Sequence, residues 1–234
     1  GKWSHACAIY DGTRVRLHFN GKMVASEART PATTGGTSLQ IGRYVNGAMF
    51  FAGAIADVRL YNRALNEGEI NELAQDASDS SAITGASYST GPTGLVSHYN
   101  FNTGFEDLPA APIGGNLAFS GTKTSVTGKD GDAAGSIYYD GASHNTGNGL
   151  GLPLGAAPRS VCSWFRLASQ PGGSVRFPIV SYGTVGTYFD LVYFNAGSTS
   201  VPDYRLALSD TGSSIEVAAA LPINTWQHSC ITHD

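Results

Sequence analysis

Charged side chains are scarce in this 234-residue sequence, in which Asp, Glu, Lys and Arg together supply 14% of the residues. An ordinary globular domain has about 25%. The net charge is −4, so the composition gives no basic surface and does not predict nucleic acid as a partner. No uninterrupted run of about 18 apolar residues occurs, and therefore no membrane-spanning helix is predicted.

Glycine is abundant instead, with 30 residues, and apolar residues make up 41% of the sequence. The apolar share is sufficient for a proper hydrophobic core. Many glycines combined with few charges are typical of an all-β extracellular module with many turns.

The end of the sequence repeats its beginning. Four residues recur 223 positions later: Trp3, His5, Cys7 and Asp11 as Trp226, His228, Cys230 and Asp234. A period of this size is that of a domain rather than of a solenoid repeat. It predicts that the sequence is cut from a longer protein built of tandem repeats.

The three cysteines are Cys7, Cys162 and Cys230. The repeat gives Cys7 and Cys230 the same structural position, which leaves Cys162 as the expected disulfide partner of Cys230. Cys7 would then pair outside the chain, or compete for Cys162. A disulfide predicts an oxidising, extracellular location. Three buried free thiols are the alternative.

Polar and apolar residues alternate over short segments, which predicts strands along most of the sequence. One short helix is predicted over 66–74, with Asn66 as its cap and acidic residues in its first turn. Residues 76–93 have almost no large apolar side chains and predict a linker. The predicted strands cover 3–10, 14–19, 38–43, 50–51, 54–61, 95–101, 116–119, 136–139, 160–167, 177–182, 188–194, 204–208, 214–218 and 225–232.

A family resemblance is carried by residues 53–70, which read GAIADVRLYNRALNEGEI. This segment resembles the closing signature of laminin-G-like domains in the concanavalin A-like lectin/glucanase superfamily. Earlier motifs follow in that family's order: Trp3-x-His5 with Asp11-Gly12, Leu17-x-Phe19-Asn20-Gly21-Lys22 and Leu39-x-Ile41-Gly42. Later motifs resemble its opening strand, its FDG turn and its next core strand: Gly94–Phe101, Tyr138–Ala142 and Val161–Phe165.

The resemblance implies an all-β fold, a two-sheet antiparallel jelly-roll sandwich, with its halves in permuted order. Residues 1–75 resemble the C-terminal half of one domain, 76–93 the linker, and 94–234 the N-terminal part of a following domain. The related pentraxins bridge the strands that match Cys162 and Cys230, which agrees with the disulfide expected above.

Half a sandwich leaves one core face and several strand edges exposed. The two segments can close on each other as one circularly permuted domain, complete themselves with a neighbouring molecule, or belong to a tandem array. In the closed form residues 1–11 and 224–234 would compete for one strand position. The sequence therefore favours completion between copies or a tandem array over closure within the chain.

The sequence contains no recognisable catalytic motif. Laminarinase-like enzymes of the superfamily use a Glu-x-Asp-x-x-Glu strand, whose alternation places carboxylates on one face, and this motif is missing. The six histidines show neither metal-ligand spacing nor the context of a nucleophile. We therefore predict that the chain is not an enzyme and has no catalytic residues.

Calcium is the cofactor that the resemblance implies, because many laminin-G-like and pentraxin domains bind it. Asp107, Asp140 and Asp57 are the candidate ligands of a single structural Ca²⁺, since this cation prefers oxygen donors. The alternative for Asp140 is a turn former, and for Asp57 a strand-end hydrogen bonder. The acidic cluster of the pentraxin double site is missing after Gly42.

Sugar recognition would need exposed aromatic rings beside amide or carboxylate groups. The sequence favours the alternative for each single candidate, which is a residue of the core or of a solvated loop. These candidates are Tyr44, Asn46, Phe50, Tyr182, Tyr188, Tyr193, Asn195 and Tyr204.

The function that we expect is a non-enzymatic adhesion or structural repeat module, secreted and extracellular or at the cell surface. Its expected partners are neighbouring copies of the same repeat or other subunits. The alternative is a carbohydrate-binding, lectin-like module appended to a secreted enzyme, with glycans as partners.

Overall fold

The computed structural model describes residues 4–10, 13–19, 21–28, 36, 38–75, 92–101, 115–129, 131, 133–155, 157–210 and 213–233. For residues 4–10 and 226–233 the description is of the backbone. Most of the predicted linker 76–93 lies outside the described residues, and so does the candidate ligand Asp107.

Strands dominate the described part of the chain, and they form two sheets. The elements are β1 Ser4–Tyr10, β2 Arg14–Phe19, β3 Lys22–Ala28, β4 Ser38–Ile41, β5 Ala52–Tyr61, α1 Glu67–Gln75, β6 Leu95–Tyr99, β7 Ala118–Ser120, β8 Thr124–Val126, β9 Ser136–Asp140, β10 His144–Asn148, β11 Arg159–Leu167, β12 Arg176–Thr184, β13 Thr187–Asn195, β14 Tyr204–Asp210, β15 Ser213–Ala218 and β16 Trp226–His233.

The first sheet has the strand order β3-β2-β1-β16-β11-β5-β9-β8, with β6 also paired to β5. The second sheet has the order β15-β14-β13-β12-β4-β10-β7. Large apolar side chains of both sheets, such as Ile55, Phe165 and Leu191, meet in one core. The predicted all-β, two-sheet jelly-roll sandwich is thereby confirmed.

Strands from the early and late parts of the chain share both sheets. β5 lies between β11 and β9 in the first sheet, and β4 lies between β12 and β10 in the second. Each of these strands is apolar on its core side, as at Leu39, Ile41 and Ile55. The core therefore needs residues from both parts of the chain.

The predicted helix is present as α1 and begins with a reciprocal cap. The Asn66 side chain accepts a hydrogen bond from the Glu69 N–H at 3.0 Å, and the Glu69 carboxylate accepts one from the Asn66 N–H at 2.9 Å. This capping box satisfies two of the amide groups that a helix start leaves free. Ile70 and Leu73 of the helix, with Leu65 just before its cap, pack against Tyr61 and Cys162 of the first sheet.

The two copies of the repeated segment lie side by side as β1 and β16. They pair in parallel, with Ser4 opposite Gln227, Cys7 opposite Cys230 and Ala8 opposite Ile231. This register places each residue beside its own repeat. The expected competition for one strand position is therefore wrong in this structure, since the sheet accommodates both segments next to each other.

Several boundaries differ from the predicted ones because the segments concerned lack apolar alternation. The strands β8 and β10 were not predicted, since Thr124–Val126 and His144–Asn148 contain few large apolar residues. Residues 42–51 form a turn held by the bridge between Arg43 and Phe50 instead of two strand segments. Among the described residues no helix is both long and apolar enough to cross a membrane.

Candidate functional site

A row of polar residues crosses the outer face of the second sheet. Strand register places these residues next to one another in the order Ser214, Ser209, Asp190, Ser181, Gln40 and Thr146. We call this set the outer polar row. Each residue comes from a different strand, so neighbouring residues of the row are spaced as the strands are, about 4.8 Å apart.

Strand alternation explains why these residues share the outer face. On β13, Phe189, Leu191 and Tyr193 enter the core, and Asp190 between them must point to the opposite side. Leu39 and Ile41 place Gln40 outside on β4 in the same way. This alternation is visible in the sequence, although Asp190 is not among the predicted sugar-binding residues.

Asp190 is the centre of the outer polar row. It is buried, and its carboxyl group accepts a hydrogen bond from the Ser181 hydroxyl. Burial raises the pKa of Asp190 to about 8, although Ser181 and the Arg176 guanidinium pull it downwards. At neutral pH the group is therefore mostly protonated and can itself donate a hydrogen bond.

Two tyrosine rings lie beside Asp190. Tyr44 and Tyr188 meet edge to face with ring centroids 4.9 Å apart, and both are partly exposed. Burial, a hydrogen bond with Tyr188 and the nearby Asp190 raise the pKa of Tyr44 far above its usual range. The arrangement combines partly exposed aromatic surface with a polar floor.

The other end of the row contains polar atoms without partners. Thr146 donates to the Gln40 side-chain oxygen at 3.0 Å. Nearby, the Arg43 Nε and the His144 Nδ1 are buried and make no hydrogen bond. Phe50 lies against the His144 ring at a centroid distance of 5.8 Å. Burial and the charge of Arg43 lower the pKa of His144.

The predicted sugar-binding candidates divide into two groups. Tyr44, Asn46, Phe50 and Tyr188 are partly or fully exposed on or beside the outer face. The others belong to the packed interior or to structural hydrogen bonds: Tyr182, Tyr193 and Asn195 are buried, and Tyr204 stacks on Tyr193. The Asn195 side chain accepts hydrogen bonds from the amides of Gly197 and Asp203.

Asp57 lies in a separate charged cluster on the first sheet. Its Oδ1 atom is 2.8 Å from the Arg59 Nε and 2.6 Å from the His98 Nε2. Burial works against ionisation, but Arg59 and His98 hold the pKa of Asp57 well below its usual range. The oxygen is thus occupied by two cationic or hydrogen-bonding partners.

Asp140 is exposed and closes a turn after β9. Its carboxylate accepts hydrogen bonds from the amides of Ala142 at 3.0 Å and Ser143 at 2.7 Å, which lower its pKa. Asp140 lies opposite Ala52 at the start of β5, about 17 Å along that strand from Asp57 at 3.4 Å per residue. The structure does not bring these two candidate ligands together, and the described residues contain no cluster of three metal-ligating side chains.

Comparison with known families concerns the first part of the chain. Residues 1–71 match the laminin-G-type family model of the concanavalin A-like lectin/glucanases superfamily. The match includes β1 to β5 and the start of α1, so the matched segment supplies β4 and Gln40 to the outer polar row. No curated protein and no solved structure matched the chain.

Proposed function

We propose that the chain is a carbohydrate-binding module of the laminin-G type, with its ligand on the outer face of the second sheet. The supporting observation is the outer polar row beside the Tyr44–Tyr188 pair. Aromatic rings offer an apolar face to a pyranose, and a few fixed polar groups select its orientation. Partly exposed Thr146 and exposed Asn46 would supply such polar groups.

The proposal is tested by a glycan array with the intact chain and two variants. Tyr188→Ala removes the partly exposed ring, whereas Tyr138→Ala removes a partly exposed ring from the first sheet and is the matched control. We expect glycan signal for the wild type and the control and at least tenfold weaker signal for Tyr188→Ala. Absence of wild-type binding, or equal loss in both variants, contradicts the proposal, provided that circular dichroism shows both variants folded.

The proposed role is adhesive or structural rather than catalytic, in a secreted or cell-surface protein. The Asp190 carboxyl has hydroxyl groups as its neighbours in the row, whereas glycoside hydrolysis requires a second carboxylate within about 10 Å in a defined position. We expect no increase in reducing ends when the chain is incubated with β-glucans. Measurable turnover would contradict this part of the proposal.

Self-association is a second candidate function, and the register of β1 with β16 favours it. Each strand pairs with its own repeat, so the corresponding strand of another copy fits the same position. Light scattering over a hundredfold concentration range tests this. A mass that rises with concentration supports association between copies, and a constant monomer mass contradicts it.

A single structural Ca²⁺ remains part of the proposal. Asp107 and Asp140 are the remaining candidate ligands, because Arg59 and His98 already occupy Asp57. Exposed Asp140 already accepts two amide hydrogen bonds but keeps a second carboxylate oxygen. Titration calorimetry with CaCl₂ and melting curves with and without a chelator test this site. An Asp140→Asn variant that binds Ca²⁺ as the wild type does would remove Asp140 from the ligand set.

A further inference from the structure

The three cysteines of the chain occupy one level of the first sheet. Cys7 on β1 lies opposite Cys230 on β16, and Cys230 lies opposite Cys162 on β11. β16 is the middle strand of the three. Cys230 is therefore the neighbour of both other cysteines.

The spacing of strands decides which disulfides can form. Neighbouring strands are about 4.8 Å apart, within the range that a disulfide tolerates between Cα atoms. Cys7 and Cys162 are separated by two such spacings, about 9.5 Å, which is too far. Two bonds are thus compatible with the sheet, Cys162–Cys230 and Cys7–Cys230, and both use Cys230.

Cys162, at one end of this set of three cysteines, lies in a dry part of the molecule. Cys162 is fully buried among Tyr61, Leu65, Ile70 and Leu73, beneath α1. On the other side, His18 of β2 lies opposite Cys7. The His18 ring is also fully buried. A thiol with an ordinary pKa of about 8.5 is partly ionised at pH 8, which supplies the thiolate that an exchange needs.

We propose that the three cysteines form a disulfide relay in which Cys230 exchanges its partner between Cys162 and Cys7. Cys162 is disulfide-bonded in the structure, and the register makes Cys230 its partner. This bond forms when a low-molecular-weight disulfide oxidises the two thiols and is itself reduced to two thiols. The Cys7 thiol then loses its proton, and its thiolate attacks the Cys230 sulfur. The Cys7–Cys230 bond forms, the Cys162–Cys230 bond breaks, and Cys162 leaves as a thiolate that takes up a proton.

The exchange changes which strands are covalently tied while the number of disulfides stays at one. The Cys162–Cys230 bond ties β16 to β11 and leaves β1, β2 and β3 attached to the sheet by hydrogen bonds and packing. The Cys7–Cys230 bond ties β1 directly to β16 and locks this three-strand edge. The relay thus controls whether β1 can leave and a corresponding strand of another copy can take its place.

The first test uses the full chain in a buffer of reduced and oxidised glutathione at pH 8, followed by acid quenching, alkylation in denaturant and peptide mapping. We expect both bonds to be found, with the free thiol divided between Cys7 and Cys162 and Cys230 unalkylated. A Cys7–Cys162 bond, or a single bond with one fixed free cysteine at every redox ratio, overturns the relay.

The second test uses three matched serine variants, which keep the size of the side chain. Cys7→Ser is expected to form Cys162–Cys230 in nearly every molecule, Cys162→Ser to form Cys7–Cys230, and Cys230→Ser to form no intramolecular bond. An intramolecular bond in Cys230→Ser contradicts the proposal, as does the failure of Cys162→Ser to form one.

The third test uses hydrogen exchange to measure how strongly each disulfide restrains the edge formed by β1, β2 and β3. The amides of β2 and β3 are expected to exchange at least tenfold more slowly in oxidised Cys162→Ser than in oxidised Cys7→Ser. Reduction of both variants should abolish this difference. Equal exchange rates in the oxidised variants would exclude control of the edge by the disulfide.

Discussion

The carboxyl group of Asp190 accepts its hydrogen bond from the hydroxyl of Ser181 across neighbouring strands, and both side chains are closed off from water. This pair joins β13 to β12 on the outer face of the second sheet. Because an ionised carboxylate is costly in such a place, the pair has a consequence for stability.

Asp190→Asn is expected to stabilise the protein at alkaline pH. The pKa of Asp190 is raised to about 8 in the folded chain, whereas the unfolded chain ionises near pH 4. Between these values the folded state binds more protons, so stability falls as pH rises. The variant should equal the wild type near pH 4 and exceed it by roughly 5 kcal/mol at pH 8.

Urea unfolding at both pH values measures this difference. Exposed Asp203, whose pKa is lowered by its hydrogen bonds to Arg205, provides the control variant Asp203→Asn. That control should show no alkaline gain in stability. A wild-type stability that does not fall between pH 5 and pH 8 would contradict the ionisation behaviour given for Asp190.

His18→Leu is expected to protect the protein from acid. Burial and the charge of Arg16 lower the pKa of His18 to about 4, against about 6.5 in an unfolded chain. The wild type therefore keeps its full stability above pH 6.5 and loses up to about 3 kcal/mol as pH falls to 4. The Leu variant should lose less over this interval. If the free energy of unfolding falls by the same amount in both proteins between pH 7 and pH 4, the prediction is wrong.

Asp57→Asn is expected to be among the most damaging single changes. The substitution leaves Arg59 and His98 without their buried carboxylate, and breaking a buried ion pair from one side costs about 3–5 kcal/mol. Asp57 has a φ of 50°, which Asn also tolerates, so the backbone is preserved. The exposed Asp203–Arg205 pair is the control, and Asp203→Asn should change the urea midpoint little. Comparable losses in the two variants would contradict a special role for burial.

Asn66→Ala is expected to destabilise the chain by about 1 kcal/mol, because it removes the cap of α1. Glu72→Ala changes an exposed residue of the same helix and is expected to have a much smaller effect. The comparison is made by thermal unfolding of the two variants. An equal effect of both substitutions would mean that the reciprocal hydrogen bonds between Asn66 and Glu69 contribute little.

Local patterns allowed much of the fold to be predicted from sequence. Alternation located strands such as β2 and β13, and Asn66 as a cap before acidic Glu67 and Glu69 located the start of α1. The sequence did not predict strand β10, because its residues lack the apolar alternation that marks a half-buried strand. Its place depends on partners far away in sequence, such as Gln40 on β4.

The outer polar row could not be predicted as a unit for a related reason. Alternation alone places Asp190 on the opposite face from Phe189 and Leu191. Which residues stand beside it depends on the register of β12 and β14 with β13, and no local pattern reveals that register. The sequence likewise identified Cys162 and Cys230 as neighbours through the repeat and the resemblance, but not the position of Cys7 on the far side of Cys230.

Parallel pairing of β1 with β16 also determines how the molecule responds to mechanical force. In a parallel pair, the N-terminal end of β1 and the C-terminal end of β16 lie at opposite ends of the two strands. Tension applied through these ends loads the hydrogen bonds between the strands in shear, so that they share the load and must break together. An antiparallel pair pulled from one end would instead unzip one bond at a time. A module with this arrangement is suited to a position where it carries tension.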